Sequence, residues 1–327
     1  MELDEIMTAS YGAQLQPIEV LEFGQADFET VREQYVLKSK PVLIRGIAKA
    51  WPAYQKWTVP EFAQKYGNIK VHAVKGRTRT PFLLSEYLEY MQTTTDEEPY
   101  YLRDWTFSNE YPELLQDYTV PDYFENWIRR IPEELIRGDD EQTLRWAYIG
   151  AKNTGSAMHQ DMWYTSAWNA VLSGKKEWLF FHPDQTENVY GGALDSFNVD
   201  PALHPKFKNA KGYRCIQEPG DLVFTPYLWW HQVRNLEAGI SITENFINDS
   251  NIEMVLTKFS LMREEHLERQ KNNEQADPDL DGGNLTQGYF EILKEYIPEI
   301  EVTMLKMREE KKRKKKEKKE KKELSLC

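Results

Sequence analysis

The chain has 327 residues, 40% of them hydrophobic and ten of them tryptophan, which is enough apolar mass for a folded, enzyme-sized body and excludes a disordered adaptor. Its net charge of −12 is uneven: Lys306 to Glu323 hold twelve Lys or Arg against five Glu, leaving about −19 on the rest, so only the tail or a local basic channel suits a phosphate backbone. Cys215 and Cys327 cannot build a four-cysteine zinc site and make a poor disulfide framework, which favours a reducing compartment.

The N-terminus, "MELDEIMTASYG", lacks a basic segment followed by an apolar run, and no stretch reaches about 18 consecutive apolar residues, so neither secretion nor membrane spanning is expected. Residues 1–17 read as an extension. From 18 to 143 the pattern is an α/β mixture: "DFETVREQYV" has helical spacing and "KPVLIRG" reads as a strand ending at Gly46. "TVPEFAQKYG" predicts a helix capped at Thr58 or its neighbour, with Pro60 in the first turn and Gly67 at the stop. "IKVHAVKG" returns to strand alternation, and "LLSEYLEYMQT" to a helix.

Between Leu144 and Phe246 the texture changes to short strands separated by polar turns, in "LRWAYIGA", "TSAWNAVL", "KEWLFFHP", "RCIQEPGDLVFTP" and "GISITENF". Such spacing suggests a compact antiparallel β-barrel or folded sandwich, with Ser173-Gly174 and Pro219-Gly220 as turns. Residues 251–305 read as a C-terminal helical region interrupted by the polar linker "NNEQADPDLDGGN", and 306–327 as a Lys/Glu-rich tail, either a mixed-charge helix or, beyond Glu309 in particular, disordered.

His159 and Asp161, one residue apart, emerge from the same face of a strand, and folding the later strands back can bring His231 beside them. Two imidazoles and a carboxylate form a facial set for non-haem Fe(II) that leaves positions open. The pattern alone also fits a hydrolytic metal site, structural hydrogen bonds or polar surface residues. Lys176 follows Asn169 across the Ser173-Gly174 turn, and Thr243 shares a strand face with Ser241 and Asn245. A lysine and a hydroxyl buried in a narrow barrel need an anion, and a dicarboxylate cosubstrate would supply it by chelating iron at its other end. The plainer reading leaves Lys176 in solvent and Thr243 as an ordinary strand residue.

Together, "HQD", "TSAWNAVLSGKKEW", "GDLVFTPYLWWHQVRNLE" and "ISITENF" resemble a Jumonji-C oxygenase, nearest in appearance to the bifunctional arginine demethylase and lysyl hydroxylase branch. The resemblance is strongest over residues 144–250. It implies a mainly β protein with α extensions, in which 144–250 form a double-stranded β-helix core of the cupin or jelly-roll type and 18–143 pack on it. It places iron ligands at His159, Asp161 and His231, and 2-oxoglutarate contacts at Asn169, Lys176, Thr243 and Tyr101, with Tyr100 the one-position alternative. Met162, Trp163 and Tyr164 depart from the Pro or Gly-rich connection of relatives; they are candidates for the substrate mouth, or for packing alone.

The resemblance further implies Fe(II) as cofactor with 2-oxoglutarate and molecular oxygen as cosubstrates, and a protein or peptide as substrate, with lysyl hydroxylation ahead of N-methylarginine or N-methyllysine demethylation. A small molecule or a modified RNA base is a further alternative, and a noncatalytic cupin-like binding protein is the competing class. The basic tail is read as a solubility tail, a nuclear-localisation signal or a nucleic-acid contact, which places the protein in the nucleus or, alternatively, the cytoplasm. Nothing in the sequence sets an oligomeric state.

Overall fold

A computed structural model describes residues 12–136, 143–271 and 290–324. The residues before 12 and the "NNEQADPDLDGGN" linker lie outside the described residues. The chain forms two compact units, one running to Glu125 and resuming after the 126–137 segment through Phe246, the other combining that segment with the chain from Ile247 onward.

Among the described residues, fourteen strands, numbered in chain order, build two sheets in the first unit. The five-stranded sheet runs β1 (Gln14–Pro17), β11 (Lys211–Gln217), β10 (Lys176–Phe181), β13 (Trp230–Asn235), β8 (Gly155–His159). The nine-stranded sheet begins β2 (Glu19–Glu22), β3 (Val42–Arg45), β12 (Leu222–Thr225), β9 (Ser166–Ser173), β14 (Gly239–Phe246). It continues β7 (Arg145–Gly150), β6 (Tyr101–Trp105), β4 (Lys70–Lys75), β5 (Thr78–Leu83). Mostly antiparallel pairing between strands distant in sequence gives the mainly β, jelly-roll architecture, and β1–β3 and β4–β6 of the N-terminal region extend its sheets.

Alternation along the strands divides the interior. Leu43 and Val223 of one sheet meet Trp178, Phe180 and Val233 of the other in a core between the layers. The adjacent positions Val42, Ile44, Trp168, Ala170, Leu172, Leu222, Phe224 and Ile242 join a second core with Trp51, Trp57, Phe62, Tyr87 and Leu88 from the N-terminal helical segments. With both faces covered, β9 is buried along nearly its whole length, which is why "SAWNAVLS" carries no clean polar face. The helices that do this covering include Val59–Tyr66, whose N-cap Thr58 side chain accepts from the Glu61 amide, and Leu84–Thr93. Gly174 at φ +73° and Gly220 at φ +94° occupy left-handed positions in the two expected turns.

The structure adds one strand and decides between two readings of the tail. The "TRTPFL" run, to which the sequence pattern assigns no element, is strand β5, hairpinned onto β4 with Pro81 opposite His72. Pro81 hides the strand from propensity reasoning but is tolerated because β5 is a sheet edge. Of the two readings of the tail the helix holds, running from Glu299 to Leu324 in place of the disorder expected beyond Glu309. Lys and Glu are strong helix formers, and Glu310 lies one turn before Lys314 at 2.8 Å, the favourable orientation for such a pair. That helix starts in the second unit's own core, where Ile297 and Ile300 are buried with Val255, Leu256, Phe259 and Leu293. The unit also includes the helix Ile252–Lys271 and an Arg130–Glu299 ion pair at 2.7 Å. Among the described residues, no helix is long and apolar enough to cross a membrane.

Candidate metal and cosubstrate site

The antiparallel register of β8 and β13 sets His159 directly opposite His231. Their rings lie 4.2 Å apart between centroids. Asp161 follows at the end of β8 as the residue before a 3-10 turn, Met162–Tyr164. Its Oδ1 is 3.9 Å from His159 Nε2 and 3.8 Å from His231 Nε2. His159 Nδ1 donates to the Ala157 carbonyl at 2.7 Å and His231 Nδ1 to the Trp229 carbonyl at 3.1 Å, which leaves both Nε2 lone pairs for a shared ligand.

The electrostatics of this trio fit a cation. Asp161 Oδ2 is buried and accepts no hydrogen bond. Burial pushes the Asp161 carboxyl pKa up, against the opposing effects of His159 and a hydrogen bond from Asn245. Burial, and then His159, hold His231 well below the ordinary imidazole value. A neutralising divalent ion would relieve the desolvation of Asp161 and use all three donors, whose ligand atoms lie within 4.8 Å of one another. Two imidazole nitrogens and one carboxylate oxygen match the donor set of non-haem Fe(II).

Lys176, Asn169, Thr243 and Tyr101 line the same cavity as the trio, together with Tyr148, Ser156, Thr225 and Asn245. Lys176 starts β10, where Asn235 of β13 is its register partner. Its Nζ donates to Asn235 Oδ1 at 2.8 Å and to Tyr101 Oη at 3.4 Å, and it forms no ion pair among the described residues. Burial lowers its pKa to about 7. Asn169 and Thr243 are partners in the β9–β14 ladder, and Asn169 Nδ2 donates to Thr243 Oγ1 at 2.6 Å. Asn169 Oδ1 is buried without a partner. A buried ammonium beside hydroxyl and amide groups, with no carboxylate of its own, is the arrangement a small dicarboxylate would complete.

Of the two adjacent tyrosines, Tyr101 reaches this cavity, whereas Tyr100 packs among Phe82 and Tyr90. Met162, Trp163 and Tyr164 do not line it: Trp163 is buried and the other two are half-buried. Trp163 and Tyr164 adopt left-handed backbone at φ +53° and +58°, strain that turns the chain sharply after Asp161. Sequence reasoning did not single out Tyr148 or Asn235. Tyr148 had a signal, since period-two alternation in "RWAYIG" puts Trp146 and Tyr148 on one face; Asn235 depends on the pairing of β10 with β13, which no local pattern reveals.

The sequence profile of the cupin-like domain matches residues 28–253. The chain is 32% identical over 231 residues to "Lysine-specific demethylase JMJ21" of Arabidopsis thaliana, covering 66% of this chain and 24% of the relative. It is 29% identical to "Bifunctional arginine demethylase and lysyl-hydroxylase psr-1" of Caenorhabditis elegans, covering 70% and 61%. To "2-oxoglutarate and iron-dependent oxygenase JMJD4" of Mus musculus it is 28% identical, covering 70% and 60%. The chain thus spans between a quarter and about three-fifths of the length of these curated relatives.

Proposed function

The chain belongs to the cupin-like family, in its Jumonji-C branch, and from that premise we propose that it is an Fe(II)- and 2-oxoglutarate-dependent oxygenase that hydroxylates a protein side chain, lysine first. The observation that carries the proposal is the shared cavity: His159, Asp161 and His231 at one part of it, and the buried, carboxylate-free Lys176 at another. Relatives named for iron and 2-oxoglutarate dependence and for lysyl hydroxylation support the cofactors and the substrate class.

Under this reading His159, Asp161 and His231 hold the metal, and Lys176 with Thr243 binds the distal carboxylate of 2-oxoglutarate while Asn169 and Tyr101 pack along it. Bound iron supplies oxidation of a C–H bond by molecular oxygen, coupled to conversion of 2-oxoglutarate to succinate and carbon dioxide. The protein's part is to orient: the carbonyl-anchored imidazoles fix their ligand nitrogens, and the rings of Trp178 and Phe180, within about 6 Å of His231, keep water from that side.

Metal-free protein given Fe(II), ascorbate, oxygen and 2-oxoglutarate should form succinate, and incubation with a cell-extract proteome should add one oxygen atom to lysine in target peptides. The same addition must vanish in Asp161→Ala, which separates it from spontaneous methionine oxidation. Relatives named as demethylases favour one second reading, N-methyl oxidation. It would release formaldehyde and remove a methyl group, and modification confined to methylated side chains would replace the hydroxylase reading. Folded protein that neither turns over nor binds 2-oxoglutarate with metal present would end both.

A further inference from the structure

Tyr148 lines the cavity beside His159 and Asp161, but its hydroxyl is directed to a residue outside the cavity lining. It donates to Asp104 Oδ1 at 2.7 Å. Asp104 sits near the end of β6 with left-handed backbone at φ +58°, where the register of β6 against β7 shifts between Leu102 and Trp105. A non-glycine residue held there, at a bulge within the sheet, is a stored cost that ordinary strand pairing would avoid. The shift leaves Leu102 opposite Ile149 and Trp105 opposite Ala147, so Asp104 is freed from the ladder and its carboxylate meets the hydroxyl of Tyr148. That carboxylate is still 54% exposed, and its second oxygen is 3.5 Å from Arg103 Nε in a pair itself open to solvent.

We infer that Asp104, one hydrogen bond behind the cavity-lining Tyr148, is the residue that recognises the positive charge of the substrate side chain; this rests on the oxygenase reading above. The cavity itself offers a substrate cation no acceptor of this kind, because its one lining carboxylate, Asp161, is committed to the metal under that reading. Tyr148 stays protonated and donating: burial, then the charge of Asp104 and the hydrogen bond to it, push its pKa well above the ordinary tyrosine value. An incoming lysine or arginine exchanges for Arg103 at little cost, since an exposed ion pair is screened by water. Asp104 is a specificity residue, and touches the substrate's charge rather than its reacting carbon.

The test is equilibrium binding under nitrogen, so that no turnover occurs, of a labelled, N-terminally acetylated peptide with a free lysine side chain and its norleucine counterpart to protein loaded with metal and 2-oxoglutarate. Wild type should bind the lysine peptide more tightly, with an advantage that shrinks as salt rises. Asp104→Asn should weaken lysine-peptide binding roughly five-fold and erase the preference over norleucine. Asp104→Glu should recover part of the preference. Tyr148→Phe should lower it by less, and it keeps the idea testable if Asp104→Asn fails to melt cooperatively. Equal lysine and norleucine affinity in wild type, binding of neither, or an unchanged preference in Asp104→Asn overturns the inference. Metal-dependent 2-oxoglutarate binding by wild type in the same samples distinguishes that failure from failure of the oxygenase reading.

Discussion

The ring of Tyr101 occupies the space that a side chain at Gly150 would need. A Cβ built on Gly150 would lie 2.5 Å from Tyr101 Cε2 and from Thr154 Oγ1, and 2.6 Å from Asn235 Nδ2. Tyr101 and Gly150 are register partners across β6 and β7, so the glycine is what lets the tyrosine fold over the ladder toward Lys176. Gly150→Ala should displace Tyr101 and Asn235 together, both of which hold the Lys176 ammonium. The expected cost is about 1–3 kcal/mol in stability and a weaker 2-oxoglutarate titration, read by denaturant melts and by calorimetry. A normal titration in a destabilised variant would show that the contact is only structural.

Asp161→Ala removes one of the three proposed metal donors and the carboxylate whose Oδ2 has no partner. Wild type should melt at a higher temperature with Fe(II) or Mn(II) under nitrogen than without metal, because a ligand bound only by the folded state stabilises it. The variant should show no such shift and form no succinate. A metal-induced shift of wild-type size in the variant would move the ligand assignment elsewhere.

Lys176→Ala removes the cation proposed to bind the distal carboxylate. A loss of about 2 kcal/mol, tens-fold in the 2-oxoglutarate dissociation constant, is expected, with little change in metal affinity. An unchanged titration would place Lys176 outside the cosubstrate pocket.

The same lysine sets a pH dependence. Its folded-state pKa lies near about 7, below the ordinary lysine value of 10.5, because burial disfavours the ammonium. Between those values the unfolded chain binds more protons than the folded one, so the ligand-free, metal-free protein should gain stability from this group as pH rises through the window. Lys176→Met should flatten that slope in urea melts at several pH values. Binding of 2-oxoglutarate near pH 8 should take up a proton, seen as a dependence of the calorimetric heat on buffer ionisation enthalpy; no uptake in wild type would contradict a neutral lysine in the free site.

Glu177, adjacent to Lys176 but on the opposite face of β10, is buried between Arg214, at 2.5 Å, and Arg234, at 2.6 Å. Glu177→Gln should destabilise by about 2 kcal/mol, less than a fully buried pair because both arginines keep some solvent. It should leave metal binding in place. Loss of metal binding without a lowered melting midpoint would mean that β10 transmits the change to the site.

The chemistry was legible where it lay in short-range patterns. Ser241, Thr243 and Asn245 alternate with Ile240 and Ile242 along β14, so local periodicity groups that polar set, whereas Asp161 lies just past the end of β8 and not on a strand face with His159 as expected. What brings the sets together is register between distant strands: His231 against His159, Asn169 against Thr243, Lys176 against Asn235. No spacing along the chain encodes those pairings, and the Jumonji-C resemblance supplied what periodicity could not. Tyr148 and Asp104 stayed hidden because their contact depends on the register shift in β6. Strand β5 is likewise hidden, since Pro81 is tolerated only because the strand sits at an edge.

The two histidines differ in one respect that bears on how metal comes and goes. His231 lies on β13, paired on both sides, with its side chain 5% exposed; His159 ends β8, which has a neighbour on one side only, and its side chain is 42% exposed. Fraying of an edge strand breaks one row of hydrogen bonds, so β8 can peel away while β13 stays in the sheet. The His159 arm is then the latch and the His231 arm the anchor. Metal exchange should proceed at the rate of this peeling, and a bound ion should slow hydrogen exchange at Gly155 to His159 far more than anywhere else in the sheet.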